Sequence, residues 1–230
     1  MKRFVSIILG ICLCFSISAC SSSTDEEVRG EQITNTNVPE DMDVEGEKPE
    51  FSLGKTDGLK YENTFIGIGC TFDSDWYFYT DEEIRDLNNI TEELAGEDFV
   101  EAVKDADIIY DMYAINDNQL DNVNVNLQKV DDYVLEQLDI KVNFENTIPE
   151  AKKAFENMGY TDLEFEIITT QISGEDVLCL KTTGVIDGLT MYQKIISFKC
   201  DGYFSNVTIT TYQEDTVDAV LEQFYFIKNI

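Results

Sequence analysis

The chain has 230 residues, 46 of them acidic against 16 basic, no histidine, and a formal charge of −30 at pH 7. Charge of that sign repels phosphate backbones and anionic headgroups, so nucleic acid and anionic lipid headgroups are poor candidates as ligands. Without histidine, a serine or cysteine nucleophile lacks its usual general base and zinc lacks its commonest nitrogen ligand.

Met1-Lys2-Arg3 sets two positive charges ahead of an apolar run from Phe4 to Ile17. That run of about 14 residues falls short of the roughly 20 a spanning helix needs, and reads as a secretory signal. Ile17-Ser18-Ala19-Cys20 resembles the bacterial lipobox, a branched apolar residue and two small residues before a cysteine. The resemblance implies that the Cys20 thiol receives a diacylglycerol, carrying acyl chains such as palmitate, and that residues 1–19 are then cut away. Two acyl chains are what stable attachment requires. The expectation is a bacterial lipoprotein held on the extracytoplasmic face of the cell membrane.

Cys12 and Cys14 leave with the signal, and Cys70, Cys179 and Cys200 remain. An odd number leaves at least one thiol free or paired between chains. All three lie in apolar, strand-like runs, as buried small hydrophobes do.

Residues 20–58 read as an acidic flexible tether. Ser21-Ser22-Ser23, Asp25-Glu26-Glu27, Pro39, Pro49 and the acidic stretch from Glu40 to Glu50 leave too few apolar residues for a core. A flexible chain of that length reaches about 30–37 Å.

Residues 59–230 read as a single α+β domain. A strand-like run, Phe65–Phe72, turns at Asp73-Ser74-Asp75 into Trp76-Tyr77-Phe78-Tyr79. Thr80 and Glu83 have capping-box spacing and predict a helix through Ile84 and Leu87. Phe99, Ala102, Val103 and Ala106 share one face of a second helix. Asp107–Ile115 is a strand buried on both faces. Asn122–Leu127 alternates, with Val123, Val125 and Leu127 inward and Asn122, Asn124 and Asn126 outward.

Asp132–Leu138 is helical in pattern. Thr147 and Glu150 predict a further helix, Pro149–Met158, with Ala151, Ala154, Phe155 and Met158 as its stripe and Gly159 as its stop. Strands Leu163–Ile172, Val177–Ile186, Leu189–Cys200 and Tyr203–Tyr212 follow, joined at Ser173-Gly174, Asp187-Gly188 and Asp201-Gly202. Asp-Gly between alternating apolar runs is the strongest short hairpin signal. A last helix from about Asp215 presents Val217, Val220, Leu221 and Phe224 on one face. Antiparallel runs with helices between them and at the end specify α+β, one antiparallel β-sheet flanked by helices.

The stretch Phe65-Ile66-Gly67-Ile68-Gly69-Cys70-Thr71-Phe72-Asp73-Ser74-Asp75-Trp76 resembles the start of PsbP-like domains, among them bacterial lipoproteins of the DcrB and LpqN types. Met158-Gly159-Tyr160 ahead of antiparallel strands resembles them too. The family usually has a proline in the turn before the tryptophan, and Asp73-Ser74-Asp75 lacks it. The resemblance covers residues 61–230 and implies an α/β/α sandwich used as an accessory or binding module.

No catalytic motif, nucleotide fingerprint or cofactor signature occurs, so no enzyme and no cofactor is expected. Trp76, Tyr77 and Tyr79 are candidate contacts for a ligand or partner, since aromatic rings offer rigid area with a polar tip. Strand alternation turns Trp76 and Phe78 together to one side, where they close the core, and leaves Tyr77 and Tyr79 as the better contacts. Asp117, Asn118 and Asp121 gather oxygen ligands in a loop, but their spacing departs from a calcium-binding EF-hand, and a polar hairpin turn accounts for them. The leading reading is therefore a non-catalytic, membrane-anchored module for an extracytoplasmic protein or small ligand. The alternatives are a cation-binding surface protein and a purely structural one.

Overall fold

The structure, a computed structural model, describes residues 50–88 and 108–227. The leader, Cys20, most of the tether and the Phe99–Ala106 pattern lie outside the described residues. Strands β1 (Lys55–Asp57), β2 (Lys60–Asn63) and β3 (Ile68–Thr71) come first, and β4 (Trp76–Phe78) leads into α1 (Asp81–Leu87). β5 (Ile108–Asn116) and β6 (Asn122–Lys129) form a hairpin, followed by α2 (Asp132–Gln137) and α3 (Ile140–Asn157). The chain continues through β7 (Thr161–Ile172), β8 (Glu175–Ile186), β9 (Leu189–Cys200) and β10 (Tyr203–Tyr212), and closes with α4 (Val217–Leu221) and β11 (Phe224–Phe226).

These strands build a fully antiparallel seven-stranded sheet in the order β4-β5-β6-β10-β9-β8-β7 and a smaller sheet in the order β1-β2-β3-β11. The β7–β10 meander follows its turn chemistry. Ser173-Gly174 and Asp187-Gly188 hold both central residues at positive φ, which lets each hairpin keep the right-handed twist of its strands. One face of the large sheet, with Val123, Val125, Ile196, Val207 and Ile209, packs on Tyr61, Ile68 and Cys70 of the small sheet and on Val217, Val220 and Leu221 of α4. The other face carries α3, through Phe144 and Ala151 against Leu180 and Ile195 and through Phe155 against Tyr160 and Met191. Each such buried large side chain is worth about 1.5–3 kcal/mol.

The fold is α+β as expected, and among the described residues a second, four-stranded sheet joins α4 on one face of the large sheet. The cause is visible at both ends of the domain. Phe224 belongs to β11, paired with Cys70 of β3, because the last helix stops at Leu221. Residues 50–57, assigned to the tether, are part of the fold. Phe51 stacks on Tyr203 at 4.8 Å and meets Phe65 edge-on at 5.4 Å, and β1 pairs with β2.

The strand predicted over Phe65–Phe72 spans only Ile68–Thr71. Asn63 Oδ1 accepts from the amides of Phe65 and Ile66, folding that stretch into a turn with Gly67 at φ +72°. The asparagines of β6 do face away from the valines, yet they are buried rather than solvated. Asn126 joins a chain of polar side chains that runs across the strands. Ser197 Oγ donates to Asn206 Oδ1 at 2.6 Å, and Asn206 Nδ2 donates to Asn126 Oδ1 at 3.2 Å.

Helix α3 starts at Ile140, capped by Asp139, and runs through Pro149 instead of beginning there. Thr147 is no cap, and its hydroxyl donates to the Asn143 carbonyl at 2.6 Å. Burial of Asn143, Phe144, Ala151 and Phe155 along one side outweighs the proline penalty, about 3 kcal/mol in a helix interior.

Candidate functional site

Trp76, Tyr77 and Tyr79 alternate in direction as their strand dictates. Trp76 is 4% exposed and stacks on Phe72 at 5.0 Å, with Phe78 packed on the same ring, so it is a core residue and not a contact. Tyr77 is 55% exposed. The neighbouring Asp117 carboxylate pushes the pKa of Tyr77 up. Tyr79 is half-buried and turns toward α1, its ring centroid 4.5 Å from that of Tyr113.

The loop between β5 and β6 spends its oxygens on its own backbone. Asn118 Oδ1 accepts from the amides of Leu120 and Asp121, both at 2.9 Å, and Asp121 Oδ1 accepts from the Tyr212 amide at 2.8 Å. Among the described residues, no group of three acidic or thiol side chains converges as a metal site would need.

A cavity of about 520 Å³ opens where β4 ends. Because β4 has only three residues, it covers β5 from Ala114 to Asn116, and among the described residues no strand pairs with the preceding stretch on that side. Two side contacts bracket the opening. The Tyr79 amide donates to the Tyr113 carbonyl at 2.8 Å. At the other end the Asn88 side chain imitates a strand, accepting from the Tyr110 amide at 2.8 Å and donating to its carbonyl at 2.9 Å. The capping box of Thr80 and Glu83 fixes where α1 starts, which brings Ile84 and Arg85 to the cavity wall. The segment Ser52–Thr56 forms the opposite wall and contributes Lys55.

Asp111 lines this cavity and is the polar group that sequence reasoning missed. The register of β5 against β6 shifts between Tyr110 and Met112, a β-bulge that makes Asp111 the extra residue and re-aims its side chain. Its carboxylate, 9% exposed, accepts from the Gly54 amide at 2.7 Å, from the Tyr61 hydroxyl and from Asn63 Nδ2 at 2.7 Å. Burial pushes its pKa up, and the three donors pull it part-way back. The sequence did hold one signal for it: Asp111 is the lone charge in the apolar run Ile108–Ile115.

The thiols take no part. Cys70 and Cys179 are buried and Cys200 is half-buried; burial raises Cys179 and Cys200 to about 12 and Cys70 still further. A thiol that far above neutrality is no nucleophile. Tyr160 and Tyr212 share a buried hydroxyl–hydroxyl bond of 2.8 Å beneath α3.

No protein-family model matches the chain, and neither does any curated protein. Solved structures that resemble it include LpqN of Mycobacterium tuberculosis, which is involved in cell envelope biogenesis. It is 12% identical with a TM-score of 0.40, over 70% of this chain and 83% of that one. A protein of Bacteroides thetaiotaomicron is 10% identical with a TM-score of 0.39, over 76% of this chain and 50% of its own, so the chain spans half of that protein's length.

Proposed function

We propose that the chain is a lipoprotein, anchored through Cys20 on the extracytoplasmic face of a bacterial membrane, whose folded domain is a non-catalytic module that binds a small polar ligand. The observation that carries the binding reading is the cavity beside β5. A paired aromatic wall, Tyr79 on Tyr113, faces a space lined by both signs of charge. Ligand sites have this make-up, a mostly apolar hollow of 300–1,000 Å³ with a few convergent polar groups. The anchor reading rests on Ile17-Ser18-Ala19-Cys20 behind a short basic and apolar leader. High thiol pKa values and the lack of histidine favour binding over catalysis.

Each half has its own test. Cells fed a palmitate analogue should label the wild-type protein and not Cys20→Ser, and a labelled variant would end the anchor reading. Protein released gently from membranes should carry a small molecule in native mass spectrometry, and Tyr79→Ala should lose it. A carried molecule that survives Tyr79→Ala would move the site elsewhere.

A further inference from the structure

Resting on that binding reading, we propose that the cavity beside β5 takes a small primary amine, its ammonium on the Asp111 carboxylate and its apolar body against the rings of Tyr79 and Tyr113. Burial decides which of the cavity's charges calls for a ligand. The charged residues that line it, among those described, are Lys55, Asp81, Arg85 and Asp111. Lys55 and Asp81 are exposed and served by water, and Arg85 already has a partner. Of these groups only Asp111 is buried, at 9% exposure. Its partners, the Gly54 amide, the Tyr61 hydroxyl and the Asn63 side-chain amide, are neutral, and all of them donate, as they would to an ionised carboxyl. No lysine or arginine among the described residues is ion-paired with it. A buried carboxylate is costly unless a positive charge joins its hydrogen bonds. It offers about four lone-pair sites. Three are taken, and Oδ1 holds only the Gly54 amide, so one acceptor position remains on a group that lines the cavity.

A primary ammonium brings the missing charge and an N–H for the open position together. A quaternary ammonium brings the charge without the donor, and a neutral alcohol the donor without the charge. An anion would bring neither, and would meet the carboxylates of both Asp111 and Asp81. The body of the ligand follows from the wall beside the carboxylate. Tyr113 lies two residues along β5 from Asp111 and pairs its ring with that of Tyr79 at 4.5 Å, and Met112 and Ile84 extend the apolar lining. Aromatic faces cover an apolar body and attract an ammonium as well. At the exposed part of the wall Asp81 favours an entering cation and Lys55 opposes it, so these two offset each other and the buried carboxylate sets the sign.

Isothermal titration of the full chain without its leader, at pH 7, tests this with phenethylamine and three probes that share its body. These are its trimethylammonium derivative, 2-phenylethanol and 3-phenylpropionate. Phenethylamine should bind about tenfold more tightly than each of them, or better. Asp111→Asn, which removes the charge and keeps an acceptor for its neighbours, should weaken phenethylamine by about tenfold or more. Two changes at exposed side chains leave the buried hydrogen bonds alone: Asp81→Asn should weaken phenethylamine and Lys55→Met should tighten it, each by roughly twofold to fivefold. Should circular dichroism show Asp111→Asn unfolded, the ranking of the probes and the signs of those two changes carry the decision. No binding of phenethylamine, equal binding of any other probe, full affinity in folded Asp111→Asn, or weaker binding in Lys55→Met would overturn the proposal. A molecule other than an amine, carried by the native protein and lost in Tyr79→Ala, would leave the binding-module reading standing while removing the amine.

Discussion

Asp111 shows how one residue acquires a role from partners far away in the chain. Its donors come from Gly54, Tyr61 and Asn63, on a segment that the charge pattern assigns to the tether and on the strand that follows it. The lone acid in an apolar run is visible in the sequence, but its partners are not, because they arrive through a sheet that forms only when residues 50–63 fold back over β5. The buried carboxyl titrates above the usual range, burial being the largest cause. A raised folded value means the native state holds the proton more tightly than the unfolded chain. Its stabilising contribution is therefore full below the unfolded value of about 3.9 and is lost as pH rises through the folded one. Acidification from pH 7 toward 4 should accordingly favour the wild type over Asp111→Asn. Their urea midpoints should separate progressively in that direction, and parallel curves would assign the acid response to other carboxylates.

At the scale of elements, the turns were legible and the helices less so. Asp187-Gly188 and Ser173-Gly174 adopt the positive-φ pairs that their residue types favour, and β7 to β10 pair in the order those turns impose. This works because a two-residue turn is decided by its own backbone sterics. Helix α3 is the counter-example. Thr147 and Glu150 have the spacing of a cap and Pro149 the character of a first-turn residue, yet the helix begins at Ile140. Its start was settled by Phe144, which is fully buried and extends the apolar stripe one and a half turns upstream. Pro149 consequently lies in the interior, where it cannot donate to the Glu145 carbonyl. Pro149→Ala restores that bond and should raise stability by about 1 kcal/mol, part of the roughly 3 kcal/mol interior cost having been relaxed by the existing helix. Urea denaturation checks this, and a loss of stability would show that the ring itself is needed for packing.

Over the whole molecule, the excess of carboxylates makes self-repulsion the leading long-range term. Raising sodium chloride from 20 to 200 mM shortens the Debye length from roughly 20 Å to under 10 Å, and should raise the melting temperature. Calcium should do no more than magnesium at equal ionic strength, since Asn118 and Asp121 already bond backbone amides. A calcium-specific rise would restore the cation-binding alternative.

The sequence by itself determined the α+β class, the β7–β10 meander, the first helix cap and the inward turn of Trp76, all of them set by periodicity or by turn and cap chemistry within a few residues. Tertiary structure alone decided that a second sheet covers one face, that the asparagines of β6 are buried in a polar ladder, and that Asp111, Lys55, Tyr79 and Arg85 line one cavity. Those features depend on strands and side chains separated by tens of residues, whose meeting is governed by which apolar faces bury together, and no local pattern encodes that.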